Sequence, residues 1–241
     1  MFNYTIYEII TLPTSLILIL LTCFILKRAL KNCSETIKDI PLKLIALIVV
    51  ILEIIKQIEN VITGFDAWAL PFHYCSLFVF FFPLAEFTKG KLRKIFKPVA
   101  VITALTMALV FYLEPRGILG SSSERIFTDW NAFHSFTFHQ LAIAYPLISI
   151  SLNRYIPSKN DYTSLILVMV VYVITILPLS YIINVNYCNF LFSVLGFLES
   201  LRIALGQVIY SIIIIIGIVG GPTLVCVLYR LIYNKINKNS I

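Results

Sequence analysis

The stretch GQVIYSIIIIIGIVGGPTLVCVLY, residues 206–229, decides the fold class of this chain. It contains no charged side chain and exceeds the roughly 20 apolar residues with which a helix crosses the hydrocarbon layer of a bilayer. Its core, Ile212 to Ile216, does not alternate apolar with polar residues as a strand of an outer-membrane barrel would. The stretch therefore predicts a transmembrane helix.

The composition of the whole chain agrees with this reading. The 241 residues are 59% hydrophobic and 13% charged, whereas soluble globular proteins carry about 25% charged residues. This composition excludes a water-soluble enzyme, a disordered chain and a nucleic-acid-binding domain built on basic helices. The five cysteines are odd in number and scattered, which excludes a disulfide scaffold.

Six further apolar stretches bring the number of predicted spans to seven. The spans run approximately over residues 5–26, 41–62, 69–87, 97–113, 132–152, 162–183 and 206–229. The chain is therefore predicted to be all-α, a polytopic bundle of about seven transmembrane helices. We expect one transmembrane domain over residues 1–241, located in the cytoplasmic membrane.

Basic residues predict the orientation of these spans, because lysine and arginine near span ends stay on the cytoplasmic side. Thirteen of the nineteen lysine and arginine residues fall in the first, third and fifth connections or near the C-terminus, and Lys43 and Lys97 flank the same side at the starts of the second and fourth spans. This asymmetry predicts an outer N-terminus and an inner C-terminus. It also accounts for the net charge of +7 without a nucleic-acid partner, since basic residues at the inner surface meet anionic lipid.

The sequence lacks the patterns that bind common cofactors. It has no glycine-rich phosphate loop, no paired metal-binding cysteines and no His-Glu-x-x-His pattern. We therefore expect no metal and no nucleotide cofactor, and we expect membrane lipid as the partner. The sequence does not indicate an oligomeric state.

The second span carries several polar residues, and a charge inside a bilayer costs about 2.5–3.5 kcal/mol or more unless it is paired or faces a cavity. Glu53, Gln57 and Asn60 are spaced to share one face of a helix. Glu53 can also pair with Lys56, three residues along. Two interpretations are open: a neutralised contact that joins helices, or one wall of a hydrated site in which Glu53 and Gln57 face substrate.

The third span begins with the stretch WALPFHYCSL, residues 68–77, in which Pro71 suits a first helical turn. A helix N-terminus activates a nearby thiol, which favours Cys75 as a nucleophile. Against this, an isolated cysteine commonly behaves as a small buried hydrophobe. His73 is not the obvious base for Cys75, because residues two apart diverge on a helix.

The fifth span supplies the other two histidines, in the stretch FHSFTFHQL, residues 133–141. His139 lies more than a turn deeper than His134, close to the depth expected for Cys75 on a neighbouring span. A Cys–His pair is the minimal arrangement for acyl transfer, because the imidazole accepts the thiol proton and the thiolate attacks an ester carbonyl. The alternative is that each histidine only hydrogen-bonds a neighbouring helix.

The sixth span ends with Asn184 and Asn186, again on the outer side. Asparagine at a helix exit is also typical of turns. Here four spans contribute polar side chains at one level of the outer half of the bilayer. We interpret this convergence as a binding or catalytic site.

The same residues carry a family resemblance. The stretches Leu70 to Cys75, Phe138-His139 and Asn186-Tyr187 followed by Phe190-Leu191 resemble motifs of the YwaF-type bacterial membrane proteins. That family is similar to a eukaryotic group of transmembrane acyltransferases that act on ether phospholipids. More remotely, it is similar to the androgen-induced hydrolases of fatty-acid esters of hydroxy fatty acids.

The resemblance implies roles for four residues. Cys75 would be the acyl-accepting nucleophile and His139 its partner, with His73 and Asn186 lining the pocket. The chain departs from the family pattern after Asn186-Tyr187, where it continues with Cys188 and Asn189 in place of a Met and a Lys-Pro pair.

Two function hypotheses follow from the sequence. The first is a thiol-dependent lipid acyltransferase or acyl-ester hydrolase that uses Cys75 and His139, with His73, Glu53, Gln57, Asn186 and His134 binding substrate. The second is a small-molecule or ion transporter or sensor that uses the same polar pocket without covalent chemistry.

Overall fold

A computed structural model describes residues 6–115, 119, 124–193 and 195–238, and every regular element in these ranges is helical. This confirms the all-α prediction. The helices are α1 (Ile6–Ala29), α2 (Glu35–Lys38), α3 (Ile40–Thr63), α4 (Phe78–Phe87), α5 (Gly90–Leu113), α6 (Trp130–Ser151), α7 (Asp161–Ile182), α8 (Gly196–Leu205) and α9 (Gln207–Lys238). Short 3₁₀ turns occupy Ala67–Ala69, Cys75–Leu77 and Tyr187–Asn189. Residue 5, where the first predicted span begins, lies outside the described residues.

Four of the helices in these described ranges are long and apolar enough to cross a membrane, namely α1, α5, α7 and α9. Few side chains of α1 and α9 are buried although both helices are strongly apolar. Large contiguous apolar surfaces of this kind are rare on soluble monomers and mark contact with lipid or another apolar partner. Transmembrane helices are therefore confirmed as elements of the fold.

The segment predicted as the third span is not one helix. Residues 64–74 form turns and a 3₁₀ turn, Pro71 lies in a turn, and continuous helical structure runs from Cys75 to Phe87. At about 1.5 Å per residue this helical segment covers roughly 20 Å, short of the ~30 Å hydrocarbon layer. The expectation that Pro71 occupies a first helical turn is wrong, because backbone groups of this stretch bind distant side chains instead.

Helix α5 begins at Gly90 rather than near Lys97, so Lys97 lies two turns inside the helix and is 7% exposed. The interpretation of Lys97 as a basic residue flanking a span is therefore wrong. Its ammonium lies 2.6 Å from Oε1 of Glu86, and the Tyr145 hydroxyl donates to the same oxygen at 2.5 Å. This buried cluster joins α4, α5 and α6, and the Phe82 ring stacks on Tyr145.

The chain divides into two compact units, one of Met1–Glu59 with Phe78–Ile156 and the other of Asn60–Leu77 with Pro157–Ile241. In the first unit α5 packs against α4 and α6, and α1 packs against α6. In the second unit α9 packs against α7 and α8. The predicted site residues are distributed over both units. The first unit contains Glu53, Gln57, His134 and His139, and the second contains His73, Cys75 and Asn186.

A second polar network holds the first unit at one end of its helices. Asp39, between α2 and α3, accepts hydrogen bonds from Arg93 of α5 at 3.1 Å and from Arg154, beyond α6, at 2.6 Å. Arg154 also pairs with Glu35. Although desolvation by itself would raise the pKa of Asp39, the two arginine hydrogen bonds outweigh it and lower the pKa of that carboxyl.

Candidate functional site

A hydrogen-bonded cluster in the first unit contains Glu53, Lys56 and Gln57 of α3. Glu53 is 4% exposed, accepts a 2.6 Å hydrogen bond from Gln57 and lies 3.4 Å from the ammonium of Lys56. These are the contacts that the helical spacing predicts. Asn60, which belongs to the second unit, instead exchanges two hydrogen bonds with the backbone of Asp66, at 3.1 and 2.9 Å.

His134 connects α6 to α3. Its Nε2 atom lies 3.1 Å from the carbonyl oxygen of Leu52, the residue before Glu53. A carbonyl only accepts hydrogen bonds, so Nε2 of His134 carries the proton. His134 is 6% exposed and makes the helix contact that was one of its two sequence interpretations. Its role in substrate binding stays a prediction.

His139 is held in one tautomer by its own helix. Its Nδ1 atom lies 2.6 Å from the carbonyl oxygen of Ser135, one turn earlier, so Nδ1 carries the proton and Nε2 carries the lone pair. The side chain is 5% exposed, and its Nε2 has no hydrogen-bond partner within the described ranges. The ring lies between Phe111, stacked at 5.8 Å, and Phe138, edge-on at 5.9 Å. The arrangement presents an unprotonated, buried nitrogen.

Cys75 lies in the second unit, at the first residue of the helical segment that continues into α4. The loop before it is fixed by two tyrosines from distant parts of the chain. The Tyr172 hydroxyl of α7 donates to the Phe72 carbonyl at 2.7 Å, and the Tyr187 hydroxyl donates to the Ala67 carbonyl. These contacts replace the intrahelical hydrogen bonds that a continuous third span would make.

His73 stabilises the same loop. Its Nε2 donates to the Trp68 carbonyl at 3.1 Å, and its ring packs edge-on against Trp68 at 4.8 Å and Tyr187 at 5.1 Å. The proton on Nε2 is therefore engaged within the loop. His73 positions the segment that carries Cys75, and its contact with substrate stays a prediction.

Cys188 is a second thiol in this unit, and sequence reasoning noted it only as a departure from a family pattern. Its sulfur lies 2.6 Å from the Tyr172 oxygen and 4.0 Å from the Phe72 carbonyl oxygen. Because the Tyr172 proton goes to Phe72, the Cys188 S–H is the donor to Tyr172. Desolvation by the surrounding protein raises the pKa of Cys188 to about 12. A thiol in this state is a poor nucleophile.

The backbone around Cys188 folds back sharply. Cys188 and Asn189 adopt left-handed conformations with φ of 52° and 62°, which are uncommon for residues other than glycine. The neighbouring Asn186 closes this loop, because its side-chain oxygen accepts from the backbone N–H of Leu191 and its amide donates to the Phe192 carbonyl. Asn186 thus has the turn role that sequence analysis left open, and a pocket-lining role stays a prediction.

Sequence reasoning missed Tyr172, Tyr187 and Cys188 as parts of this site. Tyr172 contacts residues 100 and 16 positions away in the chain, and helical periodicity carries no signal for contacts at such separations. Within the parts of the chain that the structure describes, no group of three or more His, Cys, Asp or Glu side chains is arranged to hold a metal ion.

Comparison with known protein families identifies the family of this chain. The family model of the TMEM164 family matches residues 2–221. The chain belongs to the TMEM164 family. This is a transmembrane family, and the apolar helices of this TMEM164-family chain agree with a membrane protein. The match covers Cys75, His139 and the other predicted site residues. No curated protein matched the chain, and no solved structure matched it.

Proposed function

We propose that this TMEM164-family protein transfers or hydrolyses acyl groups of a membrane lipid, with Cys75 as the nucleophile and His139 as the base. In this proposal the chain crosses the cytoplasmic membrane seven times, with its N-terminus outside and its C-terminus inside. The third crossing combines the turns of residues 64–74 with the helical segment Cys75–Phe87, since non-helical backbone is tolerated in a membrane where protein surrounds it. The reaction takes place in the outer half of the bilayer, where Glu53, Gln57, His134, His73 and Asn186 bind the lipid.

The tautomer of His139 and its buried, unpartnered Nε2 are the main support for the proposal. A buried acceptor without a hydrogen-bond partner costs about 1–3 kcal/mol, so a nitrogen left in this state calls for a functional explanation. The Nδ1–H···O=C bond to Ser135 directs the lone pair of Nε2 away from the helix backbone. Catalytic histidines are oriented in the same way, with one nitrogen donating to a fixed acceptor and the other accepting the nucleophile's proton.

The proposed chemistry proceeds in two balanced steps. His139 Nε2 accepts the Cys75 thiol proton, the thiolate attacks the ester carbonyl, and the imidazolium returns the proton to the leaving alkoxide. The acyl group is then a thioester on Cys75. In the second step water or the hydroxyl of another lipid attacks the thioester as His139 accepts its proton, and the Cys75 thiol is regenerated.

The state of Cys188 supports the choice of Cys75. Cys188 donates its proton to Tyr172 and has a raised pKa, whereas Cys75 lies where a helical segment begins. The family resemblance also assigns the acyl-accepting role to Cys75. A non-covalent transporter or sensor is the second candidate. The partly buried Glu53–Lys56 pair favours it, since charges inside membrane proteins commonly mark ion or substrate paths.

Two variants of the purified protein in lipid test the proposal. Cys75→Ala removes the nucleophile, and His139→Asn removes Nε2 while keeping an amide that can donate to Ser135. Both variants are expected to lose acyl turnover, with Cys23→Ala as the matched thiol control. Turnover that survives in both variants would contradict the proposal. Flux that requires Glu53 but not Cys75 would establish the transporter instead.

A further inference from the structure

A cavity of about 120 Å³ lies between the start of α7 and the C-terminal part of α9, within the second unit. Its polar lining comprises Arg230, Asn234, Tyr162 and Ser158. Its apolar lining includes Val227 and Leu231. The cavity therefore has a mainly apolar wall into which one cationic and three uncharged polar residues are set. It is separate in sequence from Cys75, His139 and the residues predicted to bind substrate.

Arg230 is the charged residue in the lining of this cavity. Arg230 is half-buried and forms no ion pair within the described residues. The carboxylate of Asp161, the residue before Tyr162, accepts hydrogen bonds from the backbone N–H and the hydroxyl of Ser158, at 2.9 and 2.6 Å. An unpaired guanidinium with hydroxyl and amide groups beside it matches the geometry of a phosphate group.

Basic residues outnumber acidic ones in the chain segments around the cavity. Lys159 precedes α7, and Lys235 follows Arg230 by little more than one turn of α9. Clusters of basic residues at the ends of transmembrane helices attract the anionic headgroups of lipids. The local potential therefore favours an anion at Arg230.

The size and rim of the cavity select the kind of ligand. It is smaller than the roughly 300–1,000 Å³ pockets that enclose whole drug-sized molecules, so it suits a headgroup rather than an entire lipid. Val227 and Leu231 are 44% and 60% exposed, which places apolar surface where acyl chains would continue into the bilayer. A free phosphate ion would make no use of this rim.

We infer that this cavity binds the phosphate of an anionic phospholipid, with Arg230 as its principal ligand and Tyr162 and Asn234 as hydrogen-bond donors. The lipid is bound at the basic end of α7 and α9 as a ligand. This inference does not depend on the proposed acyl chemistry, because it concerns other residues and a different measurement.

Native mass spectrometry of the full-length protein in detergent tests the inference. The probes are dioctanoyl phosphatidylglycerol, dioctanoyl phosphatidylcholine and inorganic phosphate. We expect one saturable phosphatidylglycerol site that Arg230→Met weakens about tenfold or more. Lys235→Met is the matched control, since Lys235 carries the same charge on the same helix but does not line the cavity, and we expect it to weaken binding by about twofold or less.

A second variant separates shape from charge. Val227→Trp fills the cavity while keeping Arg230, and it is expected to abolish the saturable site even if Arg230→Met proves difficult to purify. Equal losses in the Arg230 and Lys235 variants would show diffuse charge attraction and overturn the inference. Equal affinity for phosphatidylcholine and phosphatidylglycerol would also overturn it. Competition by inorganic phosphate at the same concentration as the lipid would overturn the assignment to lipid.

Discussion

The hydroxyl oxygen of Tyr172 lies 2.6 Å from the sulfur of Cys188, and the same hydroxyl donates to the Phe72 carbonyl at 2.7 Å. One phenol thus joins α7, the loop that leads to Cys75 and the loop that follows α7. Burial keeps Cys188 protonated by raising its pKa, and the hydrogen bond to Phe72 fixes the backbone three residues before Cys75. The second unit therefore holds two thiols in different environments within one set of loops.

The pH dependence of alkylation distinguishes Cys188 from a reactive thiol. Because the pKa of Cys188 is raised to about 12, its thiolate fraction grows about tenfold per pH unit throughout the accessible range. We expect the rate of Cys188 modification by iodoacetamide, followed by peptide mass spectrometry, to rise in this way from pH 7 to pH 10. A plateau within that range would show that Cys188 ionises there and that its thiol is not desolvated as described.

Removing the Tyr172 hydroxyl tests the loop anchor. Tyr172→Phe leaves the Phe72 carbonyl and the Cys188 thiol without their partner, which is expected to cost about 1–3 kcal/mol of stability. At about 2–4 °C per kcal/mol for a chain of this size, the melting temperature in detergent should fall by roughly 2–12 °C. Tyr7→Phe, at an exposed position, is the control and should melt like the wild type. An unchanged melting temperature in Tyr172→Phe would refute the anchor.

The buried Glu86–Lys97 pair yields a prediction about single and double substitutions. Lys97→Met leaves the fully buried Glu86 carboxylate without its counter-charge and should destabilise the first unit by about 3–5 kcal/mol. Adding Glu86→Gln should recover much of this loss, because the remaining buried charge is removed. Thermal unfolding of the single and double variants measures the coupling.

Lys94→Met, at an exposed position of the same helix, is the control for the loss of a positive charge. If the Lys97 and Lys94 variants are equally stable, the pair is not desolvated as described. If Glu86→Gln brings no recovery, the loss comes from packing rather than from charge.

The lowered pKa of Asp39 predicts how the stability of the protein depends on pH. Its folded-state pKa is lowered, chiefly by hydrogen bonds from Arg154 and Arg93 that outweigh desolvation. Its contribution is therefore fully present above the ordinary aspartate pKa of about 3.9 and is lost as pH falls from there through the lower folded value. We expect the melting temperature to drop below about pH 4 and the drop to be smaller in Asp39→Asn. The exposed Glu124→Gln variant should keep the wild-type profile, and an identical profile for Asp39→Asn would contradict this role.

The sequence predicts the helical class and the local contacts well, because both depend on composition and short spacing. The Glu53–Gln57 hydrogen bond and the Glu53–Lys56 ion pair follow directly from three- and four-residue spacing on α3. The prediction of one continuous helix over residues 69–87 is wrong because its structure depends on distant contacts. Hydropathy registers that residues 69–87 are apolar, but it cannot register that the Tyr172 and Tyr187 hydroxyls take the Phe72 and Ala67 carbonyls.

Lys97 shows that the sequence alone also fails to predict the partners of a buried charge. A lysine near the end of an apolar run reads as a flanking basic residue, and only the fold brings Glu86 and Tyr145 within hydrogen-bond reach of it. The state of His139 was likewise open in the sequence. The four-residue spacing to Ser135 permits the Nδ1 contact, but the burial of Nε2 depends on Phe111 and Phe138 around the ring.

Detection of an acyl group on Cys75 tests the proposed function most directly. The purified protein is incubated with a phospholipid ester, quenched in acid and digested, and each cysteine-containing peptide is examined for a hydroxylamine-sensitive acyl mass. We predict a thioester on Cys75 in the wild type and in Cys23→Ala, and its absence in His139→Asn. Lipid turnover with Cys75 unmodified, or an acyl group found instead on Cys23 or Cys188, would contradict the account.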